Sequence, residues 1–214
     1  MAEVASLPLS KRPRDTQSWE GSTVESAAAI PAQKPGVSGF DPDRNTFTQY
    51  YGSRELDAAV LLMTISGFLP ASDPRILGTI AAIERELVVD GFVFRYSADF
   101  LTHGEQRLEN EGAFIMCTYW LAMNYALAGR YADARATFER VGAIANDVGL
   151  LAEEYDVTRK MMLGNFPQAF SHVGLIWTAR LLSALVGEDP ARDAVEHVAE
   201  RRKDQDHDDQ VAQA

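Results

Sequence analysis

The sequence predicts an all-α fold made of antiparallel helical hairpins packed side by side. Three observations carry that expectation. Apolar residues recur at helical spacing in consecutive stretches between Leu56 and Leu182. Short connections alternate with long ones between those stretches. No convincing period-two alternation interrupts them.

Taken in order, Leu56, Ala59, Val60, Met63 and Gly67 form one apolar or small face. Asp73 before Pro74 is a helix cap followed by a first-turn proline. The helix it opens carries Ile76, Ile80, Ile83 and Leu87 on one stripe. A loop is expected from about Asp90 to Asn110. Phe114, Thr118, Leu121 and Tyr125 stripe a third helix, which Gly129 should end. Ala134, Phe138, Val141 and Ile144 stripe a fourth. A second loop is expected from Gly149 to about Phe166. The fifth helix carries Phe170, Val173, Leu175, Ile176, Ala179 and Leu182, is apolar nearly all round, and is therefore expected to be well buried. A weaker helix is expected from Asp189-Pro190 to about Arg202. The short links fall at Gly67–Ser72 and Gly129-Arg130, so the two long loops should emerge together at the other end, a natural place for a site.

The ends differ from this middle. Residues 1–38 hold Pro8, Pro13, Pro31 and Pro35 among many Ser and Ala, and read as a disordered or unrelated leader. Residues 39–188 read as one domain. Residues 189–214 read as the weak helix and a polar, solvated tail. The chain has 214 residues, 46% of them hydrophobic, enough to bury a core. Its net charge of -11 argues against nucleic-acid or anionic-membrane binding, which need a basic surface. No apolar run reaches the roughly 18 residues of a membrane span. The first thirty residues lack a signal-peptide core, and Cys117 is the single cysteine, so a cytoplasmic protein without an internal disulfide is expected. Neither His103 nor Cys117 has metal-ligand spacing around it, and no metal or other cofactor is expected.

The chemistry-bearing stretch is LLAEEYDVTRKMMLGNFPQAFSHVGL, Leu150 to Leu175. Glu153 and Glu154 stand between apolar Leu150, Leu151 and Ala152 and aromatic Tyr155. A carboxylate beside apolar groups can be held off its ordinary pKa, as acid or base work often requires. A solvated Glu pair at a helix entry is the plain structural reading of the same residues. His172, inside the fifth helix, reads as a structural histidine.

The motifs resemble those of glycoside hydrolase family 15, the glucoamylase and bacterial trehalase family. LLAEEYD followed by LGNFPQAFSHVGLI is similar to the segment that presents the family's general base, and the resemblance places that base at Glu153, with Glu154 at the neighbouring Glu/Gln position. Asn165, Phe166, Gln168, Ser171 and His172 match the helix-entry motif that follows, whose role is architectural. GFDPDRNTFTQYYGSRELDAAVLL and GFLPASDPRILGTIAAIERELVVDG resemble the trehalase-like branch. FRYSADF and ENEGAFIMCTYWLA resemble the substrate-loop region, which implies that Arg95 binds sugar hydroxyls. Tyr96, Glu111, Trp120, Glu154 and Tyr155 are the further substrate-binding candidates. For Tyr119 and Trp120, core packing is an equal alternative. The resemblance implies a partial (α/α)6 barrel of about three hairpins out of six, and hydrolysis of an α-glucosidic bond in trehalose, maltose or a short α-glucan by inversion.

Inversion needs an acid and a base on opposite sides of the sugar, roughly 6.5–9.5 Å apart. The family's acid lies in a Trp-Glu-(Val/Ile)-Arg context that this sequence does not contain; Trp19-Glu20 is followed by Gly21-Ser22. The expectation is therefore a base without its acid, weakly active or inactive alone, with an apolar flank open to a partner chain. A non-catalytic remnant or sugar-binding fragment is the alternative. A helical-repeat scaffold is a third reading, since Leu121 to Arg140 resembles one tetratricopeptide unit, but the unit occurs once.

Overall fold

The computed structural model describes residues 39–97 and 111–186. The expected leader 1–38 with Trp19-Glu20, the loop stretch 98–110 with His103, the weak helix 189–202 and the polar tail lie outside the described residues.

The chain enters through a hairpin, β1 (Phe40–Asp41) antiparallel to β2 (Thr46–Phe47). The Asp41 carboxylate accepts from the amides of Asp43 and Arg44 and closes the turn. The Phe47 amide donates to the Thr79 hydroxyl, tying the hairpin to the second helix. A 3-10 turn follows at Ala58–Leu61, capped by Asp57, whose carboxylate accepts from the Ala59 amide at 2.8 Å. It runs into the single turn α1 (Leu62–Ile65). The first expected helix is thus divided equally between a tighter 3-10 turn and one α-helical turn.

Helix α2 (Pro74–Glu86) forms as its cap predicts. The Asp73 carboxylate accepts from the Arg75 amide and pairs with the Arg75 guanidinium. Ile76, Ile80 and Ile83 are buried on its inner stripe. The expected loop after α2 begins instead as a second hairpin, β3 (Val88–Val89) with β4 (Phe92–Val93). Asp90 and Gly91 both have positive φ, the backbone a two-residue type I′ turn requires.

Strand β5 (Ala113–Phe114) leads directly into α3 (Ile115–Leu127). Gly129, at φ 78°, ends that helix as expected, and α4 (Tyr131–Gly142) follows. Ala134, Phe138 and Val141 of α4 are buried, whereas Ile144 lies beyond the helix end. The second expected loop contains β6 (Glu154–Asp156) and β7 (Met161–Leu163), and α5 (Ala169–Val186) completes the described part. Strands β5, β6 and β7 form an antiparallel sheet in that order, with Phe114 opposite Glu154 and Tyr155 opposite Met162. The described parts of the two long connections therefore meet. The strands correct the expectation of an uninterrupted helical chain: segments of two or three residues are too short to show alternation.

The core centres on α3, where every residue from Ile115 to Ala126 is buried. Each large apolar side chain so enclosed contributes about 1.5–3 kcal/mol. Asn124 donates to the carbonyls of Leu61 and Trp120, joining α3 to the 3-10 turn. Cys117 is buried on α3, and burial pushes its thiol pKa far up, aided by the Asp57 charge.

The expectation that α5 is the enclosed helix is corrected. It packs on α3 at Gly174 and buries Ser171 and Thr178, while Phe170, Ile176, Trp177 and Leu185 remain exposed. A Cβ at Gly174 would fall 2.6 Å from Met116 Sδ and 2.7 Å from Tyr119 Cδ2, so the two helices are as close as that glycine permits. Gly174→Ala improves helix propensity, yet it is expected to destabilise the chain by about 1–3 kcal/mol through overpacking, read as a lower urea midpoint. An unchanged or higher midpoint would show that the helices do not meet so closely.

Candidate active site

The segment Leu151–Glu153 is gripped from two sides. On one side the Glu153 carbonyl accepts the Ile115 amide, the first amide of α3, at 3.1 Å. That amide has no partner within its helix, so the strand supplies one. On the other side the Glu153 amide donates to the Asn165 carbonyl at 3.0 Å. The entry to α5 holds the two preceding residues. The Gln168 amide donates to the Leu151 carbonyl, and the buried Ser171 hydroxyl donates to the Ala152 carbonyl at 2.7 Å. His172 Nε2 accepts the Leu151 amide while Nδ1 faces the Gln168 carbonyl at 2.8 Å. These partners assign the proton to Nδ1 and make His172 a strut.

The carboxylate of Glu153 is held through one oxygen. Its Oε2 accepts from the Asn165 backbone amide at 3.2 Å and from Asn165 Nδ2 at 2.9 Å. Among the described residues Oε1 accepts no hydrogen bond. Gly164 makes this approach possible: it has φ 73°, and a Cβ there would lie 3.0 Å from Glu153 Oε2.

Glu154 turns to a different neighbour. Its Oε2 accepts the Gly112 amide at 2.8 Å. Its pKa is raised, first by burial and then by the charges of Glu111 and Glu153, against the lowering effect of the Gly112 hydrogen bond. Glu111 also acts on Tyr96, whose phenol is pushed up by burial and by the Asp57 and Glu111 charges, against the lowering effect of Arg95. Tyr96, Glu111, Glu154 and Glu153 therefore fall in one electrostatic neighbourhood. Arg95 stands beside Tyr96, its guanidinium carbon 4.9 Å from the ring centroid, and its Nε is 3.6 Å from Asp57 Oδ1.

The other two candidates lie in the core. Trp120 is 8% exposed and packs edge-on against Phe170, and Tyr155 is 7% exposed and lies on Phe92 with centroids 4.8 Å apart. Neither ring has an open face. Tyr119 is fully buried against Phe138. Among the described residues no cluster of three His, Cys, Asp or Glu could hold a metal ion, and no helix is long and apolar enough to cross a membrane.

Sequence reasoning missed Gly164, Gly112 and Asp57. Gly164 could have been found as the glycine just before Asn165, a spacing suited to a left-handed residue, and Asp57 as a cap before Ala58-Ala59. Nothing in the sequence marks Gly112 as a donor to Glu154.

Known proteins resemble the chain in sequence and in fold. The profile of glycosyl hydrolases family 15 matches residues 13–180. A trehalase of Thermoplasma volcanium is 47% identical over 142 residues, 66% of this chain and 22% of that protein. A trehalase of Mycolicibacterium smegmatis is 39% identical over 160 residues, 75% of this chain and 23% of that protein. A solved wild-type glycosidase superposes with a TM-score of 0.57 at 24% identity, over 79% of this chain and 46% of that one, a likeness of fold. A glycosidase variant gives 0.56 at 25% identity, over 69% and 40%. The chain belongs to glycosyl hydrolase family 15. It spans less than a quarter of the length of these trehalases. Its helices and these neighbours fit part of a helical barrel.

Two outcomes follow from the geometry. Gly164→Ala forces a side chain into a left-handed position at a cost of about 1–2 kcal/mol and pushes on the Glu153 carboxylate. It is expected to lower the urea midpoint and to shift the Asn165 side-chain amide signals in NMR; unmoved signals would show that Gly164 does not press on the Glu153 carboxylate. Glu154 has a raised pKa in the fold, so folding favours its protonated form. The stabilising contribution is present below the ordinary glutamate range and is lost as pH rises through the raised value. Glu154→Gln should therefore have a higher Tm than the parent at pH 7, with the gap closing on acidification. A gap independent of pH would contradict the assignment.

Proposed function

We propose that this chain carries the general-base side of an inverting site that hydrolyses α-glucosidic bonds, with trehalose as the substrate and the described residues as part of an (α/α)6 barrel. The observation that supports this best is the state of Glu153: its backbone is fixed on both sides, one carboxylate oxygen is anchored by Asn165, and the other accepts no hydrogen bond among the described residues. A base must hold still and keep one lone pair for water. In the reaction Glu153 Oε1 takes a proton from water as the water oxygen bonds to the anomeric carbon. The glycosidic C–O bond breaks on the opposite face, and the leaving oxygen receives a proton from the family's acid. Arg95 supplies fixed donors to neutral sugar hydroxyls. Tyr96, Glu111 and Glu154 complete the wall of the site. The 39–47% identity to trehalases favours trehalose among α-glucosides.

The acid's Trp-Glu-(Val/Ile)-Arg context is not in this sequence, and the exposed Phe170, Ile176, Trp177 and Leu185 of α5 offer an apolar surface for further polypeptide. A sugar-binding fragment without turnover is the second reading, and the missing acid context favours it. Glucose release from trehalose separates the two. The chain alone is expected to release little or none. Mixed with a polypeptide bearing the Trp-Glu-(Val/Ile)-Arg segment it should release glucose, and Glu153→Gln should reduce that release by about 10²–10⁴-fold. Release that survives the substitution would remove Glu153 from the mechanism. Trehalose binding with no release in either preparation would favour the binding fragment.

A further inference from the structure

We infer that Asp57 is the positioning residue that aims Arg95 into the site. The inference rests on the reading of Arg95 as a sugar-binding residue and adds the group that fixes it.

Arg95 follows β4 in an extended segment that runs beside residues 55–58. The Ala58 amide donates to the Arg95 carbonyl at 2.9 Å, and Asp57 and Tyr96 face each other in an antiparallel bridge. This pairing sets the Asp57 side chain against the arginine. Asp57 Oδ1 lies 3.6 Å from Arg95 Nε, with 12% of the aspartate side chain exposed and 43% of the arginine side chain. The Tyr96 ring supports the guanidinium from another direction, 4.9 Å from ring centroid to carbon. The guanidinium thus lies within ion-pair distance of Asp57 on its Nε side and stands over the Tyr96 ring. Its terminal nitrogens have no hydrogen-bond partner among the described residues.

That division of labour suits a group that binds neutral hydroxyls. An arginine free in solution must give up its rotamer freedom when it binds, whereas one already held has lost it. The guanidinium is planar, so fixing the Nε edge also fixes the direction of the outer donors. Asp57 has a second task, since the same oxygen caps the 3-10 turn through the Ala59 amide. A single carboxylate therefore sets both the start of the turn and the direction of Arg95. Glu55, two residues earlier, accepts the Ser97 hydroxyl at 3.3 Å, so the two segments are joined by side chains on both sides of the Asp57–Tyr96 bridge.

The two tasks can be separated. Asparagine caps as well as aspartate but carries no charge. Asp57→Asn should keep the cap and lose the hold on Arg95, whereas Asp57→Ala should lose both. The full chain would be studied by NMR, following the Arg95 Nε–H signal and titrating with trehalose, with Arg95→Ala alongside. Asp57→Asn is expected to leave Tm nearly unchanged, to move the Arg95 signal towards that of a solvated arginine, and to weaken trehalose binding by about tenfold. Asp57→Ala should also lower Tm. An Arg95 signal unmoved by Asp57→Asn would overturn the inference. A moved signal, with trehalose affinity unaltered in both Asp57→Asn and Arg95→Ala, would uphold the positioning of Arg95 and overturn its reading as a sugar ligand.

Discussion

The amide that opens α3 needs a partner, and the carbonyl of Glu153 supplies it. Helix α3 is enclosed almost throughout, so an unpaired amide at its start would be costly. The bond from Ile115 to Glu153 meets that demand and ties the candidate base to the enclosed helix α3. The sheet follows from the same contact, because β6 continues the strand that Glu153 begins and β5 leads into the helix that it caps. One backbone group both satisfies a buried helix end and ties down the candidate base.

A second theme is that each candidate charge is given its own anchor. Glu153 is held by Asn165, Glu154 by the Gly112 amide and Arg95 by Asp57. The anchors lie in segments distant in sequence, so folding assembles the site from several turns at once. Glu153 and Glu154 are adjacent yet differ in setting: one keeps an oxygen without a partner among the described residues, the other is disfavoured as an anion by burial and by neighbouring carboxylates. Two neighbouring carboxyl groups can in this way be suited to different tasks.

Much of the helical frame was legible in the sequence, because its signals are local. Asp73-Pro74 opens α2 and Gly129 closes α3 where their chemistry places them. The short strands were not legible, since two residues cannot show alternation. The roles of α3 and α5 were exchanged for a different reason. Both sequences are apolar nearly all round, and which one is enclosed depends on what packs around it. The small residues Ser171, Gly174 and Thr178 are buried on α5, but only the structure shows that Gly174 presses on Met116 and Tyr119. At the candidate site, Glu153 is proposed through the likeness of its motif to a known family, and the roles of Gly164 beside it and Asn165 bonded to it are read from distances. The pairing of Asp57 with Arg95 joins two segments that no periodicity relates. Tyr155 and Trp120 show the converse: both were candidates for substrate binding, and burial places both rings against other aromatics, which for Trp120 is the core packing that the sequence left as an equal alternative.

Cys117 gives the molecule a practical property. It is the one cysteine in the sequence, it is 2% exposed in the first turn of α3, and its surroundings disfavour the thiolate that alkylating reagents attack. Burial and the disfavoured thiolate protect Cys117 from thiol probes while the chain stays folded. A cysteine placed on an exposed turn would be the sole reactive handle, and attaching a spectroscopic label there would require no prior removal of the native residue.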